Sequence, residues 1–357
     1  MYLNSLRIRD LRCLQAIDLE PGPGLNVFVG DNGSGKTSLL EAVYLLSRGR
    51  SFRSAPQSRL IRNEAESLSV FSRVQDDDGQ PFSIGLERDN EELRFKLSSD
   101  PEARLIHLVR AMPVQLLDPT LHALFDEGPS QRRRFLDWGV FHVEHAFYPA
   151  WRRYSRALQQ RNSALRSHAS DQVIHAWDRD ILTAATHVDA TRKRYVDELN
   201  RVLPSFLQRF PNTAEIDIRY TPGWPRDMDY AQALNAGLQR DRQLGYTMHG
   251  PHRADLRIRW HGVKAEQRAS RGEQKVLICC LMLAQAALLA GQGAKKPVLL
   301  VDDLAAELGP QYRQTLLEVI TELGLQSFLT CLEETLISEA VEQKRFHVEQ
   351  GRIARVI

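Results

Sequence analysis

The spacing of hydrophobic positions changes period twice along the chain. Near the start it is that of strands, and it predicts Tyr2–Arg9, Ala16–Leu19 and Leu25–Val29. Leu25–Val29 is a short apolar run, and the helical run Ser38–Leu46 follows it closely. Alternation between 68 and 98, with turn signals at Asp76–Gly79 and Asp89-Asn90, predicts an antiparallel meander. From Ser130 to about Asn200 the period becomes helical. Phe135, Trp138, Val140 and Phe141 begin one apolar face, and Trp151, Tyr154, Leu158 and Leu165 mark another. Pro204, Pro211, Pro222 and Pro225 interrupt this region before one more predicted helix, Ala231–Gln243. Strand patterns then return at Ala254–His261, Pro297–Val301, Ser327–Thr330 and Arg345–Glu349. The pattern describes a discontinuous α/β head, 1–125 and 243–357, interrupted by a helical arm over 126–242. No internal repeat or low-complexity tract stands out.

Composition adds exclusions. A net charge of +2 means that any nucleic-acid binding must come from local patches. Cys13, Cys279, Cys280 and Cys331 show no metal-like spacing, and Cys279-Cys280 lie in an apolar run that suggests core thiols in a reducing, cytoplasmic setting. The opening residues have no apolar signal core. Val276–Ala290 is the most apolar run, but it is shorter than the roughly 20 residues needed to cross a bilayer. It reads as a buried helix, with no membrane partner implied.

The chemistry begins at Gly30-Asp31-Asn32-Gly33-Ser34-Gly35-Lys36-Thr37, a complete G-x-x-x-x-G-K-[ST] phosphate-binding loop. Its glycines let backbone N–H groups point at phosphate oxygens. Lys36 supplies charge for the β- and γ-phosphates, and Thr37 supplies a hydroxyl for Mg²⁺. The strand before it and the helix opening at Ser38 provide the context this loop needs. ATP with Mg²⁺ is therefore the expected cofactor pair.

Further along, Pro297–Val301 leads into Asp302-Asp303, a buried strand that presents two acids at its C-terminal end. That is where ligands bind in an open α/β sheet. Asp302 is the candidate Mg²⁺ holder, and Asp303 the candidate residue to orient or deprotonate water. Ahead of the apolar helix stands Ala269-Ser270-Arg271-Gly272-Glu273. Ser270 suits a helix cap, and Gly272 lets backbone amides approach an anion. The order of phosphate loop, long insertion, Ser-x-Gly and paired acids resembles that of ABC-type ATPases. The resemblance gives Ser270 and Gly272 a γ-phosphate contact across a head-to-tail dimer. It gives Gln115 a role in sensing Mg²⁺ and the γ-phosphate, and Thr330 the switch position at a strand end.

Taken together, these segments resemble the RecF family of bacterial recombination and replication-repair ATPases, related to SMC heads. The resemblance runs along essentially the whole chain. It includes Leu3–Arg12, Gly30–Ala42, Gly49–Arg53, Gln131–Trp138, Gln160–Asn162, Gly250–Arg253, Ser270–Gly272 and Asp302-Asp303. It implies an ABC-type P-loop ATPase head with an antiparallel β subdomain and an inserted helical arm. Further implications are an ATP-dependent homodimer, slow hydrolysis and binding of double-stranded and gapped DNA. Its implied partners are RecO and RecR, with which such proteins help load RecA at single-strand gaps. A transporter subunit fits less well, because Ser270 lies too far beyond Thr37 and no switch histidine follows the acids. Ala306, Gly309 and Glu273 depart from the family pattern and keep a non-hydrolysing, ATP-dependent clamp on DNA as the alternative.

The DNA candidates are Arg50, Arg53, Arg59 and Arg62. On the arm there are also Arg132–Arg134, Arg152-Arg153, Arg156, Arg161, Arg166 and Arg192–Arg194. No aromatic-basic stacking motif accompanies them, so duplex backbone contact is the expected mode.

Overall fold

The computed structural model describes residues 1–356 apart from 54–58, 99, 101, 119–121, 211–215, 292, 294, 304–307, 335–336 and 338–342. Among the described residues the first strands in chain order are β1 (Tyr2–Leu11), β2 (Leu14–Leu19), β3 (Leu25–Val29), β4 (Ser67–Gln75), β5 (Pro81–Asp89), β6 (Leu93–Leu97) and β7 (Val114–Leu117). They are followed by β8 (Ile216–Thr221), β9 (Asp255–Trp260), β10 (Val263–Lys264), β11 (Val298–Val301), β12 (Ser327–Cys331), β13 (Gln343–Glu349) and β14 (Arg352–Val356).

Contacts divide the chain into two compact units, Met1–Leu121 with Arg209–Pro211 and Cys279–Ile357, and His122–Gln208 with Asn212–Ile278. The first holds a six-stranded sheet of order β14-β13-β3-β12-β11-β7, in which only β14 runs antiparallel to its neighbour. β3, β11 and β12 are buried along their whole lengths, which is why their sequences lack polar alternation. The five-stranded sheet β2-β1-β4-β5-β6 is antiparallel throughout. β4 alternates between buried and less buried positions, as a sheet with one covered face requires. Helix Lys36–Arg48 buries Leu39, Leu40, Val43 and Leu46 in the same core as Ile8, Val70, Phe28 and Phe328.

β7 is a strand that hydrophobic spacing does not predict. Four residues behind Pro113 are too few to show a period, but β11 provides the pairing, with Leu299 opposite Gln115.

In the second unit, helices Pro129–Val143, Phe147–Arg166 and Asp178–Leu207 account for the helical periodicity. The last buries Ile181, Ala185, Val188, Tyr195 and Leu199 and continues through Pro204, which sits in its final turn and does not end it. The predicted helix Ala231–Gln243 is two helices, Tyr230–Ala236 and Leu238–Leu244, joined at Gly237. Asp229 and Gln232 form a capping box at the first. β9 pairs along its length with β8 in a three-stranded sheet. This pairing holds Asp255–Trp260 in the second unit, which extends to Ile278.

Helix Arg271–Gly291 is long and apolar enough to cross a membrane, yet 72% of its most apolar window is buried inside the protein. It is a core helix. Burial pushes the thiols of Cys280 and Cys331 up, the latter to about 12.

A buried polar network in the second unit joins two motifs far apart in sequence. The Arg161 guanidinium, fully buried, donates to Asp241 at 2.7 Å, Thr247 Oγ1 at 2.7 Å and Asp178 at 3.1 Å. Asn162 accepts from the Thr247 backbone at 2.8 Å. His252 lies between Thr247 O, at 3.0 Å from its Nε2, and the Tyr154 hydroxyl, at 2.6 Å from its Nδ1. Gly250 has φ +143, and a Cβ there would lie 2.3 Å from the Tyr154 hydroxyl oxygen.

Burial lowers the His252 pKa to about 4, despite its hydrogen bond to Thr247 O. The unfolded chain, with an ordinary value of about 6.5, therefore takes up this proton first as pH falls. The contribution is complete above pH 6.5 and is lost between 6.5 and 4, where it amounts to about 3 kcal/mol. Urea unfolding across that window should show this loss in the wild type and its disappearance in His252→Asn. Equal slopes in the two proteins would exclude His252 as its source.

Candidate functional site

The phosphate loop leaves β3 and enters helix Lys36–Arg48 with little freedom of shape. Gly30 abuts β13, so that a Cβ there would lie 2.2 Å from Val348 O. Gly35, at φ +114, has Leu14 and Cys13 where a side chain would go. The N–H of Gly351 donates to Ser34 O at 2.7 Å and braces the loop from the β13–β14 turn. Lys36 is buried, and its Nζ donates to the carbonyls of Gly30 at 2.6 Å and Asp31 at 2.8 Å.

The paired acids lie at the end of β11, within reach of this loop. Thr37 Oγ1 donates to Asp302 Oδ1 at 3.0 Å, and Thr330 Oγ1 donates to the same oxygen at 2.9 Å. Thr330 Oγ1 in turn accepts the Asp303 N–H at 2.9 Å. Asp303 has φ +49, a left-handed conformation that is uncommon for a non-glycine residue. Thr330 thus fixes both acids, a clamping role its strand-end position alone did not reveal.

A cavity of about 310 Å³ opens here. Asn32, Gly33, Gly35, Lys36, Thr37 and Ser38 line it together with Asp303 and Thr330. Arg12, Cys13 and Arg53 complete the wall. Sequence reasoning did not single out Arg12 or Cys13 for this cavity. Arg12, at φ +56 in the β1–β2 turn, is brought there by a bend that no local motif announces.

Mg²⁺ chemistry fits this donor set. Mg²⁺ keeps several waters and takes one or two protein oxygens beside substrate phosphates, and the Thr37 hydroxyl and Asp302 carboxylate already converge. These two residues would hold the ion, which would neutralise charge on the phosphates.

Gln115 is not brought into this group. It is buried in β7, and its Nε2 donates to Gln285 Oε1 at 3.3 Å and approaches Met282 Sδ at 3.3 Å. Its side chain lies against helix Arg271–Gly291, outside the residues that line the phosphate cavity.

The Ser270 segment opens that helix. Glu273 Oε2 accepts from both the backbone N–H and the hydroxyl of Ser270 at 2.8 Å, and the Glu273 N–H lies 3.4 Å from Ser270 Oγ. This is a capping box, in which Glu273 does the reciprocal capping. Ser270 and Gly272 are exposed, and the Arg271 side chain is 81% exposed. Ala306 lies outside the described residues. Gly309 precedes helix Pro310–Glu322, where it offers no side-chain cap.

The basic candidates separate into groups. Arg53 is exposed and lines the phosphate cavity. Arg62 donates to Asp10 at 2.7 Å. Arg50 and Arg59 are exposed. On the arm, Arg132 pairs with Asp255 and Arg192 with Asp137, both through two hydrogen bonds, and both are buried. Together with Arg161 they hold the fold and are not available to DNA. Arg134, Arg152, Arg156, Arg166 and Lys193 remain exposed.

Arg161→Ala leaves Asp241 buried without its cation and should lower unfolding free energy by about 3–5 kcal/mol. The salt dependence of DNA binding by the folded fraction should stay unchanged. A slope reduced by about one would instead make Arg161 a phosphate contact.

The parallel-rich sheet with its phosphate loop, the antiparallel sheet and the opposed acids define an ABC-type ATPase head of the SMC kind. A family model described as the RecF/RecN/SMC N terminal domain matches residues 2–354. Proteins described as DNA replication and repair protein RecF from Shewanella piezotolerans and Shewanella pealeana are each 41% identical over 357 residues, covering 99% of both chains. The chain belongs to the RecF family. A solved structure described as the recombination mediator protein RecF-ATPrS in the RecFOR pathway is 25% identical with TM-score 0.86, covering 99% of this chain and 97% of that one. The Smc head domain from Pyrococcus furiosus, 15% identical with TM-score 0.62, shares the fold.

Proposed function

We propose that this protein is an ATP-dependent DNA-binding factor of replication and recombinational repair, acting in the cytoplasm. In this reading Lys36 and the loop amides bind the ATP phosphates, with Mg²⁺ beside Thr37 and Asp302. Asp303 orients or deprotonates the attacking water. Exposed Ser270 and Gly272 meet nucleotide held by a second copy, so that ATP closes a head-to-tail homodimer on double-stranded or gapped DNA. RecO and RecR are the expected partners in loading RecA at gaps.

The observation that carries this reading is the hydrogen-bonded group Thr37, Asp302, Thr330 and Asp303, of which Thr37, Asp303 and Thr330 line one cavity walled by the phosphate loop. Family membership and the RecF-ATP structure support the choice of nucleotide. Arg50, Arg53, Arg59 and Arg62 are the DNA candidates of the segment after the first helix. The test is a gel shift of gapped duplex without nucleotide, with ATP and with a non-hydrolysable analogue. The expected shift requires nucleotide and forms with either ligand. Binding of equal strength under all three conditions would contradict ATP control.

A further inference from the structure

Glu41 is a fully buried carboxylate on helix Lys36–Arg48, shortly after Lys36 and Thr37, and no step described above uses it. Both of its oxygens are hydrogen-bonded. Oε2 accepts Arg12 Nε at 3.0 Å, and Oε1 accepts Arg12 Nη2 at 2.8 Å. Oε1 also accepts the Ser51 hydroxyl, and Ser51 Oγ accepts the Arg53 backbone N–H at 2.9 Å. Arg12 further donates from Nη1 to Arg59 O at 2.9 Å. The two branches from Glu41 therefore end at the two arginines that line the phosphate cavity.

The physical logic favours a preset wall. A buried carboxylate is tolerated only when paired, so Glu41 demands the two-pronged contact with Arg12. That contact and the Arg59 carbonyl engage three of the five guanidinium N–H groups and leave two for an incoming anion. Through Ser51 the same carboxylate fixes the backbone of Arg53, whose guanidinium has no protein partner among the described residues. The Arg12 donors, ordered in advance, bind a polyphosphate without the entropy cost of ordering them on arrival, and the fixed Arg53 backbone shortens the search of its side chain.

We infer that Glu41 is a positioning residue for the nucleotide polyphosphate, holding the Arg12 guanidinium directly and the Arg53 backbone through Ser51, both residues lining the cavity that Lys36 also lines. The inference rests on the nucleotide reading of this cavity.

The test uses the full chain, a fluorescent ATP analogue and a matched set of variants. Glu41→Gln keeps the volume but turns a donor toward the Arg12 fork, and affinity should fall about 10-fold with the circular dichroism spectrum preserved. Ser51→Ala cuts only the Arg53 branch and should give a smaller loss, about 3-fold. It keeps the inference testable if Glu41→Gln does not fold. In an Arg12→Ala and Ser51→Ala background, adding Glu41→Gln should cost less than about 2-fold, because the path is already cut. Wild-type affinity in both Glu41→Gln and Ser51→Ala overturns the inference, as does a full further loss in the cut background. Lys36→Met separates the two levels. If it weakens binding while the Glu41 set does not, only the positioning role fails. If it binds like the wild type, the cavity assignment fails and the positioning role with it.

Discussion

Lys36→Met should abolish ATP-dependent association of the chain while leaving its fold intact. Methionine preserves most of the length and the apolar stem of the lysine, so the packing around a buried position is kept. What disappears is the ammonium now held by the Gly30 and Asp31 carbonyls. No other cation of the loop itself stands between β3 and Thr37. The loop's own point charge for the β- and γ-phosphates is therefore lost, Arg12 and Arg53 lying outside the loop, and with it the ligand that would join two heads. Light scattering after size exclusion, with and without ATP, reads the outcome. A mutant that still dimerises on adding ATP removes Lys36 from this role.

Asp303→Asn addresses hydrolysis. The substitution keeps shape and hydrogen-bonding size but removes the base, so turnover should fall by about 10²-fold or more. ATP binding should persist, since Lys36, Thr37 and Asp302 are untouched, and the dimer should live longer. Thr330 holds the left-handed backbone of Asp303 through its N–H, which the variant retains. Phosphate release and dimer lifetime are the two readouts. Unchanged turnover with unchanged lifetime would move the assignment to another residue. A wild type with no measurable turnover would instead favour the non-hydrolysing clamp that Glu273 and Gly309 suggested.

Much of the phosphate site was legible because its chemistry is local. Eight consecutive residues specify the loop, and the apolar run into Asp302-Asp303 specifies the strand that carries the acids. Residues that act through distant pairing were not legible. Gln115 looked like a loop glutamine until β7 paired with β11 and turned it toward Gln285. The arm arginines looked like a basic surface. Sequence alone did not show that Arg161, Arg192 and Arg132 would each meet an aspartate from a distant segment. Helical periodicity located the arm, but it did not show that β9, pairing with β8, belongs to the same unit. Arg12, Glu41 and Arg53 illustrate the same limit. Their meeting depends on a turn between two strands, a helix interior and a loop, none of which marks the others in sequence.

The central claim is that ATP is shared between two copies, bound by Lys36 of one and contacted by Ser270 of the other. Mixing Lys36→Met with Ser270→Arg tests it most directly. Each variant alone should fail to dimerise, although Ser270→Arg should still bind ATP as a monomer. A mixed dimer carries both lesions in one composite site and none in the other. Light scattering on the mixture with ATP should therefore recover a dimer population, and ATP turnover should rise above that of either parent. If the mixture stays monomeric and as inactive as its parents, or if Ser270→Arg alone destroys ATP binding, nucleotide is not shared between copies in this way.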